Sequence, residues 1–99
     1  MIKIPGYAKA DARKALEQRN KLNESKRYGL TKQEAKVLGI NSGVERAKQI
    51  IRNEYLSKED AKRVAAFYSR FKNCKTPKCE GAIDLWGGRR WGRELDKKF

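Results

Sequence analysis

Apolar residues recur at helical spacing along most of the chain, with polar and charged residues between them. The spacing predicts a first helix over residues 7–23, whose apolar stripe consists of alanine and leucine. Wider apolar stripes predict a helix after Ser42 and a strongly amphipathic helix after Ser57. Residues 1–6 are predicted to form a short extended arm.

The starts of three predicted helices share one local pattern, a hydroxyl residue followed three positions later by an acidic residue. In a capping box, the hydroxyl accepts a hydrogen bond from a backbone N–H that would otherwise be unpaired. The three pairs are Thr31 with Glu34, Ser42 with Glu45 and Ser57 with Asp60. The first pair predicts a short helix over residues 31–38, followed by a stop at Gly39.

The C-terminal part of the chain contains both cysteines, both tryptophans and four of the eight glycines. A polar loop is predicted over residues 73–81. Residues 82–86 are predicted to form one or two helical turns that end at Gly87 and Gly88, since glycine tolerates positive φ. Residues 89–99 are predicted to add a last short turn.

The tryptophans allow two interpretations. Because the chain has few other large apolar residues, Trp86 and Trp91 are predicted to close the core. The alternative is that they stack on the bases of single-stranded nucleic acid, with neighbouring arginines on the phosphates. The whole pattern predicts an all-α domain over residues 1–99, a small bundle of about four helices closed by the Trp- and Gly-containing C-terminal segment. Residues 1–29 are predicted to be a basic arm or helix.

Charge is the strongest indication of function. The chain contains 25 Lys and Arg residues against 12 Asp and Glu residues, a formal net charge of +13. This balance favours a polyanionic partner, because cations that neutralise phosphates release condensed counterions. The prediction is a non-catalytic nucleic-acid-binding protein without a cofactor, which contacts the phosphate backbone of DNA or RNA. The candidate contact residues are Lys9, Arg13, Lys14, Arg46, Arg52, Lys62, Arg63, Arg89, Arg90 and Arg93.

A helix-turn-helix is an alternative interpretation of residues 31–51, with a turn at Gly39 and a second helix that carries basic and amide side chains. The turn is one residue short of the usual register, however. Glu45 would also oppose phosphate near the start of the second helix. An ordinary helical hairpin within the bundle is therefore favoured over a groove-reading helix.

The cysteines, Cys74 and Cys79, have four residues between them, and the chain contains no histidine. A structural zinc site needs four ligands, usually Cys or His, so this pair could complete one only with a second copy of the chain. The spacing also permits a local disulfide. Two reduced thiols in a tight loop are predicted, because intracellular thiols are kept reduced.

Enzymatic activity is not predicted. No histidine is available for general-base catalysis, and the Gly-Gly pair lacks the Lys-Ser/Thr pattern of a phosphate-binding loop. The carboxylates of Glu80, Asp84 and Glu94 lie in a segment rich in Arg and Lys, which predicts ion pairs. No apolar run is long enough for a membrane span. The N-terminus lacks the apolar core of a signal peptide, which predicts an intracellular location.

The runs SGVERAKQI, LSKEDAKRVAAFYSRF, LWGG and RRWGREL follow one another in the second half of the chain. They resemble a small basic module of proteins encoded by tailed bacteriophages. In that module, a Ser-Gly-x-x-Arg-Ala helix precedes a Leu-Ser-capped helix ending in Phe-x-x-Arg, and an Ala-x-x-Leu-Trp-Gly-Gly segment follows. The resemblance covers residues 41–93, about half of the chain. The matching positions are Ser42, Gly43, Arg46, Ala47, Leu56, Ser57, Lys62, Arg63, Phe67, Arg70, Ala82, Leu85, Trp86, Gly87 and Gly88.

The resemblance implies a phage origin and, in some relatives, genes that neighbour head or virion proteins, but no established activity. Relatives often carry a histidine after the Phe-x-x-Arg helix, where this chain has Lys72, and the cysteine loop is a further departure. The implied location is the host cytoplasm, or the virion. The alternative to nucleic-acid binding is then a virion component, or an inhibitor whose basic surface docks on an acidic phage or host protein.

Overall fold

The computed structural model describes residues 1–29, 33 and 42–99. Within these residues the fold is all-α, as predicted, with five helices and one two-stranded antiparallel sheet. The elements in chain order are β1 (Ile2–Lys3), α1 (Gly6–Lys21), a 3-10 turn (Glu24–Lys26), α2 (Gly43–Arg52), β2 (Tyr55–Leu56), α3 (Lys58–Phe71), α4 (Pro77–Leu85) and α5 (Gly88–Lys98). Apart from Gln33, the helix predicted over residues 31–38 lies outside the described residues.

The N-terminal arm is paired with the rest of the chain. Strand β1 pairs with β2 in antiparallel register, and the Ile4 N–H donates to the Glu54 carbonyl at 2.9 Å. Ile4 and Leu56 are both buried. The arm therefore holds the start of α1 against the connection between α2 and α3.

The predicted caps of α2 and α3 are confirmed. The hydroxyls of Ser42 and Ser57 each accept a hydrogen bond from the N–H of the acidic residue three positions later, at 3.0 and 3.1 Å. Each bond satisfies one backbone donor that the first helical turn leaves unpaired. Local side-chain chemistry therefore determines where both helices begin.

Helix α4 begins inside the segment predicted to be a polar loop. The Thr76 hydroxyl accepts from the Cys79 N–H at 3.2 Å, and Pro77 occupies the first helical position. Proline is favoured there, because its missing N–H would have no partner in the helix and its φ already suits one. The loop predicted over residues 73–81 is therefore wrong from Pro77 onwards.

Helix α5 is eleven residues long, where only a short turn was predicted. Its buried side consists of Gly88, Trp91, Gly92 and Leu95. The two glycines interrupt the apolar pattern in the sequence, yet one of them is needed for packing. A Cβ on Gly92 would lie 2.6 Å from the ring of Tyr68 in α3, so this ring packs directly on the α5 backbone.

Both tryptophans belong to the core. Trp86 exposes 6% of its surface and Trp91 exposes 2%, so the predicted core role is confirmed and neither ring can act as a stacking platform. On α1, the core contribution comes from Ala8, Ala12 and Ala15, which are almost fully buried. Because these side chains are short, a helix with a polar overall composition can still pack closely on α2 and α4.

The turn between α4 and α5 confirms the predicted stop at the Gly-Gly pair. Gly87 and Gly88 have φ values of 100° and 89°, which glycine adopts more readily than residues with a Cβ. A Cβ on Gly88 would also lie 2.1 Å from a carboxylate oxygen of Asp11. This approach brings a negative charge to the N-terminus of α5, where the helix dipole favours it.

Candidate nucleic-acid interface

Lys9, the first candidate contact residue, is engaged inside the protein. Its ammonium group donates to the carbonyls of Ile50 at 3.0 Å and Ile51 at 3.1 Å, and also to the carbonyl of Asn53. These carbonyls lie at the C-terminal end of α2, where the helix dipole favours a cation. Lys9 therefore joins α1 to α2, and its ammonium group is engaged within the fold.

Arg46 is likewise directed into the fold, and its side chain is only 10% exposed. Its guanidinium lies 5.0 Å from the centre of the Trp86 ring and pairs with the Asp60 carboxylate at 3.3 Å. It also donates to the Gln49 amide oxygen at 2.6 Å. The side of α2 that carries Arg46 and Gln49 thus faces the protein, which argues against a groove-reading helix.

Arg89 connects three parts of the chain. Its guanidinium donates to both oxygens of Glu80, at 2.6 and 3.1 Å, and to the carbonyls of Lys72 at 2.7 Å and Cys74 at 3.0 Å. The hydrogen bond to Arg89 lowers the pKa of Glu80, and the same bond raises the pKa of Arg89. Arg89 therefore holds the start of α5 against α4 and the end of α3, and its guanidinium is engaged within the fold.

The other seven candidate contact residues are exposed and lie on four of the described helices. They are Arg13 and Lys14 on α1, Arg52 on α2, Lys62 and Arg63 on α3, and Arg90 and Arg93 on α5. More than half of the exposed candidates therefore belong to α3 and α5.

Helices α3 and α5 lie side by side in opposite directions. Near the start of α3, the Lys62 ammonium is 5.9 Å from the centre of the Phe99 ring, just beyond the end of α5. At the opposite end, the Arg89 guanidinium at the start of α5 donates to the Lys72 carbonyl just after α3. The outer sides of the two helices therefore form one continuous surface.

This surface is a basic face, consisting of Lys62, Arg70, Arg90, Arg93 and Lys97, all exposed. On α5, the three cations follow at steps of three and four residues, which places them on one side of the helix. On α3, Lys62 and Arg70 are about two turns apart. Arg70 and Lys97 were missing from the predicted contact set, although helical spacing would have identified them once residues 88–98 were recognised as a helix.

Nearby carboxylates neutralise little of the basic face. Glu94 accepts a hydrogen bond from the Tyr7 hydroxyl at 2.5 Å and pairs with Arg90 at 3.6 Å, yet the Arg90 side chain remains 70% exposed. Asp96, the other acidic residue of α5, forms no ion pair with any residue in the described part of the chain. The same is true of the other four cations of the basic face.

Arg63 has a closer carboxylate partner than Arg90 has. It pairs with Asp60 at 2.8 Å while its side chain remains 56% exposed. Burial acts to raise the pKa of Asp60, but hydrogen bonds from Gln49 and Arg63 bring it below its ordinary value. Asp60 therefore remains ionised and holds Arg63 beside the basic face rather than within it.

A cavity of about 970 Å³ lies between α1 and α4. Its lining includes the exposed lysines Lys21, Lys26 and Lys78, together with Asp84.

The predicted ion pairing of the C-terminal carboxylates is confirmed for Glu80 and Glu94. Asp84, by contrast, makes no ion pair within the described residues.

The Asp84 carboxyl has an unusual environment. Burial is the main cause that raises its pKa, and the negative charges of Asp11 and Glu80 raise it further, while Lys14 and Arg89 oppose them. Together these effects raise the pKa of Asp84 from 3.8 to about 6. The folded protein therefore holds this proton up to a higher pH than the unfolded chain does.

Asp84→Asn is expected to stabilise the protein at pH 7.5 and to change little at pH 4. In the wild type, the folded state binds more protons than the unfolded state between pH 3.8 and about 6, so stability falls as pH rises through this window. The full difference corresponds to about 3 kcal/mol, which partial exposure to solvent reduces to about 1–2 kcal/mol. Urea denaturation of both proteins at the two pH values measures this gain. An equal gain in stability at both pH values would show that the gain does not come from the raised pKa of Asp84.

The cysteines form a disulfide, so the prediction of two reduced thiols is wrong. The entry of the chain into α4 brings the Cα atoms of Cys74 and Cys79 to 5.9 Å, a separation that a disulfide spans.

Within residues 1–29, 33 and 42–99, no group of three or more His, Cys, Asp or Glu residues is placed to hold a metal ion. None of the described helices is long and apolar enough to cross a membrane.

Comparison with known proteins identifies no relative. No protein-family model matches the chain, and no curated protein or solved structure matches it either. The resemblance to a phage module therefore remains a prediction from the sequence, and the functional argument depends on the geometry of this chain alone.

Proposed function

We propose that this protein is a non-catalytic nucleic-acid-binding protein whose basic face contacts phosphates. The proposal is supported by one observation above all: the five exposed cations of the basic face lie on two adjacent helices, and among these five only Arg90 has a carboxylate partner within the described residues. A partner that supplies rows of negative charge is complementary to such a surface.

The physical basis of the affinity is counterion release. Each cation that neutralises a phosphate of double-stranded DNA releases about 0.9 of a condensed counterion, so five contacts give a log–log salt dependence of about −4.5. The excess positive charge of the whole molecule adds attraction at long range. Binding is therefore expected to depend steeply on salt and weakly on base sequence.

Fluorescence anisotropy with labelled DNA and RNA, between about 50 and 200 mM salt, tests this proposal. The variant Lys62→Ala/Arg93→Ala/Lys97→Ala removes three contacts and is expected to make the salt dependence shallower by about 2.7. Circular dichroism of the variant verifies that its helices are retained.

The matched control is Lys21→Ala/Lys26→Ala/Lys78→Ala, which removes the same charge from the cavity between α1 and α4. We expect the control to change the salt dependence by less than about 1, since these lysines lie outside the basic face. Equal effects of the two variants would show that overall charge matters and the basic face does not. No detectable binding at about 50 mM salt would refute the proposed function.

A second candidate function is docking on an acidic protein, either a phage virion component or a host factor. It is supported by exposed cations outside the basic face, namely Arg13, Lys14 and Arg52. The phage origin and the host-cytoplasm location are suggested only by the resemblance in residues 41–93. The Cys74–Cys79 disulfide favours a compartment that is not persistently reducing, since disulfides are rare where thiols are kept reduced.

A further inference from the structure

The arrangement of cations on the basic face indicates which form of nucleic acid it fits. We infer that the partner is double-stranded DNA, bound through both backbones; this inference depends on the proposed function.

The cations form two rows, one on each helix. Arg90 and Lys97 are seven residues apart, so the α5 row is about 10 Å long, and Lys62 and Arg70 are separated by about 12 Å along α3. Packed helices have axes roughly 8–10 Å apart. Each groove of double-stranded DNA is bordered by two backbones. Rows of cations on two adjacent helices can therefore contact both backbones, whereas a single strand supplies only one.

Several residues beside the two rows have short side chains. Between Lys62 and Arg70, the exposed residues of α3 include Ala66 and Ser69, whose side chains are short. On the α5 side, Gly92 has no side chain and is buried against Tyr68. These short residues leave space beside the cations for phosphates. Asp96, four residues after Gly92 on the same side of α5, is half-buried and is the carboxylate of α5 that lies toward α3.

The face also lacks what single-stranded nucleic acid requires. Binding of single strands generally combines cations with exposed aromatic rings on which bases stack. Both tryptophans are buried, and the exposed large apolar residues in the described part of the chain are Met1, Tyr55 and Phe99. Tyr55 lies on β2, and Phe99 lies at one end of the face beneath the Lys62 ammonium. The half-buried Tyr7 ring is covered by Arg90, whose guanidinium lies 4.0 Å from the ring centre. Among the described residues, no exposed aromatic ring therefore lies between the rows.

Duplex RNA fits less well than duplex DNA. Proteins recognise the RNA double helix largely through 2′-hydroxyl and phosphate contacts across a wide minor groove. The described residues of α3 and α5 offer one exposed, uncharged polar side chain for such contacts, that of Ser69. The cations of the basic face suit contacts to phosphates and not to 2′-hydroxyl groups.

Competition between strand types tests the inference. We expect a labelled duplex DNA of about 20 base pairs to bind at least about tenfold more tightly at 100 mM salt than either of its single strands. It should also bind more tightly than an RNA duplex of the same sequence. Equal or tighter binding of a single strand, or of the RNA duplex, would overturn the inference while leaving the proposed function intact. No binding to any of the four ligands would instead refute the proposed function itself.

A pair of variants tests stacking directly. Tyr55→Ala and Phe99→Ala each remove an exposed aromatic ring without removing a charge from the basic face, although Phe99→Ala also removes the ring beneath the Lys62 ammonium. We expect each variant to retain duplex affinity within about twofold, because the proposed contacts are to phosphates. A loss of more than about fivefold in Tyr55→Ala, or in both variants, would show that base stacking contributes, and would overturn binding through two backbones.

Discussion

Trp91→Ala is expected to lower the free energy of unfolding by about 3–5 kcal/mol, the usual cost of removing a large buried aromatic side chain. The Trp91 ring is 2% exposed and lies against the turn that precedes α5, where a Cβ on Gly87 would be 2.4 Å from it. Its loss would leave a cavity between that turn and the core. Since small domains are stable by only about 5–15 kcal/mol, this single change should remove a large part of the total. Urea denaturation followed by far-UV circular dichroism measures the effect.

The matched control for this variant is Phe99→Ala, at the end of the same helix. The Phe99 ring is 41% exposed, so its removal is expected to cost less than about 1 kcal/mol. The two variants thus compare an internal and an external aromatic residue. If Trp91→Ala proved no more destabilising than Phe99→Ala, the assignment of Trp91 to the core would be wrong.

Gly92→Ala is expected to lower the free energy of unfolding by about 1–3 kcal/mol, although alanine favours helix over glycine by about 1 kcal/mol. The added Cβ would lie 2.6 to 2.8 Å from three atoms of the Tyr68 side chain. Tyr68 is itself buried, so relief requires α3 and α5 to move apart. Thermal and urea denaturation measure the loss. A movement of these helices would also separate the two rows of the basic face, so DNA affinity should fall with stability.

The same substitution at Gly6 provides the control. An added Cβ at Gly6 would meet nothing within 4 Å, and its φ is not positive. Gly6→Ala is therefore expected to leave stability unchanged or to raise it by up to about 1 kcal/mol, chiefly by restricting the unfolded chain. A lower free energy of unfolding for Gly92→Ala, with an unchanged or higher one for Gly6→Ala, would support close packing at Gly92. A stabilising Gly92→Ala would contradict it.

Three of the predicted contact residues instead hold together the helices that carry the basic face. Lys9 ties α1 to the end of α2, Arg46 connects α2 with α3, and Arg89 holds the start of α5. These interactions position the helices whose outer sides carry the basic face. Substitution of Arg89 is therefore expected to affect binding through the placement of α5, so its effect would not identify it as a phosphate contact.

Several elements of the fold could be predicted before any tertiary contact was known. Helix α1 extends over residues 6–21, close to the predicted range of 7–23, and the caps at Ser42 and Ser57 are where the sequence placed them. The stop at the Gly-Gly pair was also correct. All of these depend on interactions between residues within about four positions of one another, which a local pattern contains in full.

The sequence predicted a loop where α4 begins and only a short turn where α5 lies, and both errors have a physical reason. Thr76 and Pro77 do form a recognisable start, but the apolar pattern that follows is short and interrupted by Gly81. A Cβ on Gly81 would lie 2.4 Å from the ring of Tyr28, just as Gly92 is close to Tyr68. A glycine that is helical because a ring from another segment packs on it cannot be distinguished, in the sequence, from a glycine that ends a helix.

The amino-acid sequence alone established a basic protein and predicted an all-α fold with tryptophans in its core, because charge is a sum over residues and helical periodicity is local. It could not separate the cations that bind carbonyls and carboxylates of the protein from those that face solvent. Lys9, Arg46 and Arg89 resemble the other basic residues until α2, α3 and α4 bring their acceptors within hydrogen-bond distance. The basic face likewise exists only because α3 and α5 pack in opposite directions, and that arrangement depends on contacts between residues far apart in the chain.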